Sequence, residues 1–177
     1  EWVVAGRPPP PSRVPRLADA TLVAADALRF PAIPGAAIMR VTNSIAPPPT
    51  AAGQASASAH YRVLVCQVDA DGNEIAGIRL PDIAVPLATY TGWNAYKVPY
   101  LAGELADRDG SYLPFAPTQA ARIAAGDPRP AIAERYANRE DYVRKVQAAA
   151  AALVRERLLL QEDAERYVER ARQEIVQ

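Results

Sequence analysis

Prolines and short apolar runs divide the chain into an extended first part and a helical last part. Thirteen of the 17 prolines lie among the first 100 residues, and the apolar residues between them occur only in short runs, such as residues 21–23 and 28–30. Proline fixes its own φ, lacks a backbone donor and restricts the preceding residue, so this pattern disfavours long helices. It predicts an extended Pro-rich arm and linker over residues 1–58, with a short strand beginning near Thr21.

The first six residues, EWVVAG, have the pattern of a helix end. A tryptophan and two valines are followed by Gly6, and glycine is the residue that most often terminates a helix. The pattern predicts that this helix begins upstream of Glu1, and that the sequence is a fragment or a processed chain.

Alternating residues predict a β-hairpin after the arm. Residues 61–68 (YRVLVCQV) alternate around β-branched side chains, residues 69–73 (DADGN) have turn chemistry, and residues 74–80 (EIAGIRL) are predicted to form the return strand. The acidic residues of the turn superficially resemble the start of a calcium loop. The loop lacks the glutamate at its twelfth position, so the sequence favours a plain turn.

Residues 77–100 (GIRLPDIAVPLATYTGWNAYKVPY) predict an irregular strap. Three prolines exclude a long helix or a central strand there. An apolar, aromatic segment that cannot satisfy its own backbone should lie in a groove made by other parts of the protein. We expect at least two of Tyr90, Trp93 and Tyr96 to be substantially buried.

Two interpretations of the aromatic turn within this strap remain open. The turn residues could cover a hydrophobic core, as buried aromatic residues usually do. They could also form a surface that binds substrate, and the candidates for that role are Tyr90, Thr91, Trp93 and Asn94. Here Gly92 would allow the turn to approach a ligand closely.

Charged residues and helical periodicity dominate residues 101–177, which hold 12 Lys/Arg and 13 Asp/Glu. A short helix is predicted over residues 117–125, stopped by Gly126, and another turn or two over residues 130–137. Asn138 should cap the following helix. Between these helices, the sequence Asp-Pro-Arg-Pro at 127–130 predicts a rigid corner in which Asp127 binds Arg129 or a nearby backbone donor.

Two amphipathic helices are predicted at the end of the chain. The first carries an apolar stripe that includes Tyr142, Val143, Val146, Ala149, Ala150, Leu153 and Val154. The second, over residues 162–175, repeats the pattern with Ala164, Tyr167, Val168, Ala171 and Ile175. The tight join at residues 158–161 predicts an antiparallel helical hairpin with solvated outer faces.

These elements predict an α+β fold in three parts. The arm and linker occupy residues 1–58, the β-hairpin and aromatic strap residues 59–100, and the helical region residues 101–177. A length of 177 residues is enough for one domain with a real core. A net charge of zero offers no electrostatic basis for nucleic-acid binding, and no apolar run is long enough to span a bilayer.

The sequence supplies few residues for chemistry. His60 is the single histidine and Cys66 the single cysteine, so an internal disulfide is impossible and a zinc site has no support. Neither a Gly-rich phosphate loop nor a Gly-x-Ser-x-Gly nucleophile elbow is present. We therefore predict no catalytic residue, no cofactor-binding residue and no metal ligand in this chain.

Three stretches resemble the C-terminal part of the large bacterial "alpha/beta hydrolase domain-containing" proteins. They are residues 6–35 (GRPPPPSRVPRLADATLVAADALRFPAIPG), residues 63–94 (VLVCQVDADGNEIAGIRLPDIAVPLATYTGWN) and residues 111–160, which include SYLPFA and GDPRPAIAERYANREDYV. The resemblance covers most of the chain in the right order, whereas residues 36–62 fit poorly.

This resemblance implies a parent serine hydrolase that acts on esters or related acyl compounds. In that family the nucleophile and the catalytic histidine lie upstream of the segment that corresponds to Gly6, and His60 falls where the family needs no histidine. The implied partners are therefore an upstream hydrolase domain, on which this chain would pack, and a small acyl substrate. The resemblance also implies a periplasmic or extracellular location.

Two functions from different classes follow. The chain could be the C-terminal accessory region of such a hydrolase and close one side of its active-site cleft. Alternatively, it could be a self-standing, non-enzymatic module that binds or scaffolds through its Pro-rich arm and its helical hairpin.

Overall fold

The computed structural model describes residues 2–36, 38, 62–97, 99, 104–106 and 109–174. Within these ranges the elements are α1 (Trp2–Ala5), β1 (Leu22–Ala24), a 3-10 turn (Ala25–Ala27), β2 (Leu64–Cys66), α2 (Pro81–Ala84), β3 (Ala88–Thr91), β4 (Ser111–Pro114), α3 (Gln119–Ala125), α4 (Ile132–Arg135), α5 (Arg139–Arg155) and α6 (Gln161–Gln173). Helices and small antiparallel sheets together agree with the predicted α+β class. Among the helices described, none is long and apolar enough to cross a membrane.

The strands described above form two small antiparallel sheets of two strands each. Strand β1 pairs with β2, with Val23 opposite Val65. Strand β3 pairs with β4, with Tyr90 opposite Tyr112. The short strand predicted to begin near Thr21 is thus confirmed as β1, and it provides the partner of the clearest strand in the sequence.

The predicted return strand over residues 74–80 is wrong. The turn before it forms as expected, because the Asp69 N–H donates to the Asn73 carbonyl at 2.8 Å. Beyond the turn, antiparallel pairing is limited to one bridge between Val68 and Glu74. Gly77 then adopts a φ of +85°, which takes the chain out of an extended conformation before α2 begins. The other edge of β2 is taken by β1 instead.

The strap over residues 77–100 is mostly extended or irregular where it is described, as predicted. Its most buried part is the start of β3, where Ala88 and Thr89 are fully covered. Tyr90 and Trp93 are half-buried, and Tyr96 is 42% exposed. The expected burial of two aromatic residues therefore rests on Tyr90 and Trp93, and neither is fully enclosed.

The predicted helix boundaries are close to the observed ones. Helix α3 is capped by the Thr118 side chain, which accepts a hydrogen bond from the Ala121 N–H at 3.2 Å, and it ends at Gly126. Helix α5 begins after Asn138, whose side chain accepts from the Asp141 N–H at 2.8 Å. Both signals are local in the sequence, which explains why they predict the boundaries well.

Helices α5 and α6 form the predicted antiparallel hairpin. The first half of α5 contributes Tyr142 and Val146 to the main hydrophobic cluster, and the second half of α6 contributes Ala171. The strap joins this cluster through Val85, which is also buried. The helical hairpin is therefore the base on which the strap lies.

The Pro-rich arm contacts the end of α5. The Arg157 side chain donates to the Pro8 carbonyl at 2.7 Å, and Arg13 pairs with Glu156. Packing of the chain on an upstream hydrolase domain stays a prediction, as does the division at residues 58 and 100.

Candidate functional site

A cavity of about 240 Å³ lies between the two small sheets. Strand β2 and the segment after β1 form one side, and the end of β3 with the following turn forms the other. Its lining includes Leu28, Phe30, Val65, Cys66, Glu74 and Trp93, and also Tyr90 and Thr91. The structure thus brings three of the four predicted substrate-cleft candidates to one cavity, and Asn94 lies outside its lining.

Trp93 and Phe30 form an aromatic wall of this cavity. Their ring centroids are 5.5 Å apart and the ring planes are tilted by 55°. The rings are tilted rather than edge-on, at a centroid separation that is typical of favourable aromatic pairs. Because Phe30 comes from the segment that follows β1, the wall joins parts of the chain that are far apart in sequence.

Tyr90 lines the edge of the cavity next to β4. Its ring packs edge-on against Tyr112 with 5.4 Å between the centroids. Burial raises the pKa of the Tyr90 phenol to about 12, and the nearby Asp82 carboxylate adds to this rise. The hydroxyl therefore stays protonated at neutral pH and cannot act as a general base there.

The side chains of Thr91 and Asn94 form hydrogen bonds with the backbone of the turn and its neighbours. The Thr91 hydroxyl donates to the Trp93 carbonyl and accepts from the Ser111 N–H at 3.0 Å. The Asn94 side-chain oxygen accepts from the Ala95 N–H at 2.9 Å. These hydrogen bonds hold the backbone that carries Trp93, so the two residues position the aromatic wall.

Close backbone approach occurs at glycines other than Gly92. A Cβ atom on Gly92 would meet no protein atom within 4 Å, and Gly92 lines the cavity, so close approach of a ligand there stays a prediction. A Cβ on Gly110 would instead lie 2.3 Å from the Thr91 carbonyl oxygen. Gly72 has a φ of +82°, and a Cβ there would lie 2.9 Å from Thr89 Cγ2. Both glycines let neighbouring segments pack directly against β3.

Asn73 binds the free edge of β3, a role that sequence reasoning missed. The side chain is fully buried, donates from Nδ2 to the Ala88 carbonyl at 3.1 Å and accepts at Oδ1 from the Tyr90 N–H at 2.8 Å. These are the two backbone groups that a neighbouring strand would pair with. The Asn73 amide therefore takes the place of a strand and fixes the backbone at Tyr90.

Arg129, in the rigid corner at residues 127–130, binds both β3 and β4. The side chain is 3% exposed, and its five N–H donors all have acceptors. Two bind the Asp127 carboxylate, at 3.0 and 2.6 Å, and one binds the Thr89 hydroxyl at 2.9 Å. The last two bind the carbonyls of Leu113 and Pro114 in β4, at 2.8 and 3.2 Å. One guanidinium thus ties the corner to both strands of the sheet.

Asp127 completes this corner as predicted. Its carboxylate also accepts from the Arg129 backbone N–H at 2.9 Å. The hydrogen bonds from the Arg129 side chain hold the pKa of Asp127 below its usual value, against the opposing effect of burial. Asp127 is therefore ionised at neutral pH and forms a buried ion pair with Arg129.

The acidic turn that resembled a calcium loop is bound by arginines. The Asp69 carboxylate pairs with Arg79 at 2.7 Å, and Asp71 pairs with Arg135. The Arg135 guanidinium also lies 3.9 Å from the ring centroid of Phe115. The Arg129 guanidinium lies 5.0 Å from the centroid of the same ring. Across residues 2–36, 38, 62–97, 99, 104–106 and 109–174, no group of three acidic, His or Cys side chains could hold a metal ion.

Cys66 and Glu74 give the cavity its polar side. Burial raises the pKa of the Cys66 thiol above its ordinary value, and the Glu74 carboxylate raises it further. The thiol therefore stays protonated at neutral pH and is a weak nucleophile. His60, the chain's one histidine, lies outside the described residues. What the described geometry can do is bind an apolar group.

Comparison with known protein families identifies a match over most of the chain. A family model described as an alpha/beta hydrolase domain matches residues 1–169 of the chain. No curated protein and no solved structure matches it.

Proposed function

This chain belongs to the alpha/beta hydrolase domain family, and we propose that within such a hydrolase it forms an accessory region that lines one side of the active-site cleft. The observation that carries the proposal is the cavity between the sheets, which brings Tyr90, Thr91 and Trp93 together. A concave, mostly apolar site with a few placed polar groups is the usual form of a small-molecule site.

The catalytic chemistry is proposed to come from outside residues 1–177. Acyl transfer needs an activated nucleophile, a base within hydrogen-bond reach and donors that face the developing oxyanion. This chain has a single histidine and no nucleophile elbow. Its contribution is therefore to position an ester or related acyl substrate against a serine nucleophile and a histidine carried by an upstream domain.

Isolated residues 1–177 are expected to hydrolyse no ester, because they lack the groups that acyl transfer requires. A generic chromogenic ester, incubated with the purified chain, should turn over at the rate seen in buffer. Turnover above that rate, abolished by His60→Ala, would place a catalytic centre within this chain and contradict the proposal.

In the full-length hydrolase, Trp93→Ala is expected to lower kcat/KM by about 10-fold, which corresponds to about 1.4 kcal/mol. The substitution removes half of the aromatic wall and leaves the catalytic groups in place. Steady-state kinetics with an ester substrate measures the change. Tyr96→Ala is the matched control, because Tyr96 is an exposed aromatic residue of the same strap.

The control separates positioning of substrate from general damage to the strap. We expect Tyr96→Ala to keep the parent kcat/KM. If a folded Trp93→Ala variant also kept it, the aromatic turn would only cover the core, and the scaffolding alternative would gain weight.

A further inference from the structure

We propose that the cavity between the two sheets binds a neutral apolar acyl or aryl group, and that Glu74 at its wall excludes carboxylates. This inference rests on the proposed function, because Trp93 lines the same cavity. It goes further by naming the chemical class that the cavity accepts and the class that it rejects.

The size of the cavity sets the size of the group. An apolar cavity of roughly 150 Å³ in another protein binds benzene. The cavity here, of about 240 Å³, is larger than that, so it can hold a hexanoyl chain or a substituted ring. It is smaller than the roughly 300 Å³ at which sites for whole drug-sized ligands begin. It therefore suits one end of a substrate, with the scissile bond at the mouth of the cavity.

The walls favour an apolar group. Leu28 and Val65 supply aliphatic surface, and Phe30 and Trp93 supply the aromatic wall. The Thr91 hydroxyl is already engaged with the Trp93 carbonyl and the Ser111 N–H. A ligand therefore gains mainly by burying apolar surface, at about 25 cal/mol per Å².

Glu74 sets the charge that the cavity tolerates. Its side chain lines the cavity beside Cys66. A carboxylate ligand would lose part of its hydration on entry and would lie near the like charge of Glu74. A neutral ester meets neither cost.

This selectivity matches the direction of ester hydrolysis. The reaction consumes one ester and one water and yields an alcohol and a carboxylic acid, and the acid loses its proton at neutral pH. If the acyl end of the ester occupies the cavity, the product acquires a charge that Glu74 repels. The same wall would then favour entry of substrate and departure of product.

The test measures binding of methyl hexanoate and of hexanoate to the full chain. Trp2→Phe leaves Trp93 as the only tryptophan, so its emission reports on the cavity wall. Methyl hexanoate should cause a saturable blue shift, and hexanoate should bind at least about 10-fold more weakly because of its lost hydration and the charge of Glu74. Protection of Cys66, the only cysteine, from alkylation by iodoacetamide gives an independent second readout.

Two variants that each remove one negative charge show whether the effect is specific to Glu74. Glu74→Gln should lower the preference for the ester by at least about 3-fold, because the repelling charge is gone while the cost of desolvating the carboxylate remains. Glu140→Gln removes an acid at the start of α5, outside the cavity lining, and should leave the preference unchanged. Both residues are exposed, so neither variant should affect folding.

Two results would overturn the inference. A folded chain that showed neither a saturable shift nor protection of Cys66 up to the solubility limit of methyl hexanoate would have no such site. Equal binding of ester and acid to the unmodified chain would remove the role of Glu74. Neither result depends on turnover, whereas unchanged kcat/KM in the full-length Trp93→Ala variant would contradict the proposed function even if the chain bound methyl hexanoate.

Discussion

Arg129→Leu is expected to lower the free energy of unfolding by about 3–5 kcal/mol, the usual cost of removing one partner of a buried ion pair. The substitution leaves the Asp127 carboxylate without its side-chain donors in a place that is 7% exposed. It also leaves the carbonyls of Leu113 and Pro114 without the donors that Arg129 supplies. Urea denaturation of the two purified chains measures the difference.

An exposed arginine of the same kind provides the control. Arg166 pairs with Asp163 at 3.0 Å, and its side chain is 77% exposed. Arg166→Leu should therefore cost less than about 1 kcal/mol, as surface ion pairs usually do. Equal effects of the two substitutions would show that the corner contributes no more than an ordinary surface pair.

The double variant Asp127→Ala/Arg129→Leu shows whether the stability lost in Arg129→Leu comes from the unpaired Asp127 carboxylate or from lost packing. If the uncompensated carboxylate causes most of the loss, removing it as well should make the double variant more stable than the sum of the single effects predicts. Strict additivity would mean that Asp127 and Arg129 stabilise the corner independently, which would contradict the ion pair.

Leu153→Ala is expected to lower the free energy of unfolding by about 2–5 kcal/mol, the range for truncating a buried leucine. Leu153 lies on α5 and is 5% exposed. The substitution removes apolar surface from the core and leaves a cavity that the neighbouring helices can fill only in part. Thermal or urea unfolding of the variant and the parent chain gives the value.

Leu160→Ala is the matched control for this position. Leu160 precedes α6 and is 62% exposed, so its truncation removes little buried surface. We expect a change within about 0.5 kcal/mol, as for most surface substitutions. A Leu153→Ala chain that unfolded together with the parent would show that this face of α5 is not part of the core.

The helical part of the fold was predictable because its signals are local. The cap at Asn138, the stop at Gly126 and the apolar stripe of α5 each lie within a few residues of the structure that they specify. The corner at Asp127 and Arg129 was predictable for the same reason, since the two residues are separated by one proline.

The pairing of the strands was not predictable in the same way. Residues 61–68 have the pattern of a strand, but a pattern does not name the strand's partner. A following turn suggested the nearest segment, and the partner is β1, which precedes the turn by more than 40 residues. The local sequence predicts only a turn at Asn73, because it does not show the edge of β3 that the Asn73 side chain binds.

One half of the candidate site was predictable from the sequence. Tyr90, Thr91 and Trp93 are close in sequence, and their aromatic and hydroxyl groups are typical of a binding surface. The opposite half of the cavity comes from Phe30 and Cys66, which only the pairing of β1 with β2 brings near. The chemistry of a cavity depends on both walls, and one of them required the tertiary structure.

The ties that hold β3 also have a consequence for the order of folding. Arg129 and Thr89 are 40 residues apart, and Arg135 and Asp71 are 64 apart. Such contacts can form only after long loops have closed, whereas the α5–α6 hairpin needs one short connection. The helical hairpin therefore forms early and the cavity late. During synthesis, β3 leaves the ribosome before β4 and the corner at Asp127 and Arg129, so this strand stays unpaired until they have emerged.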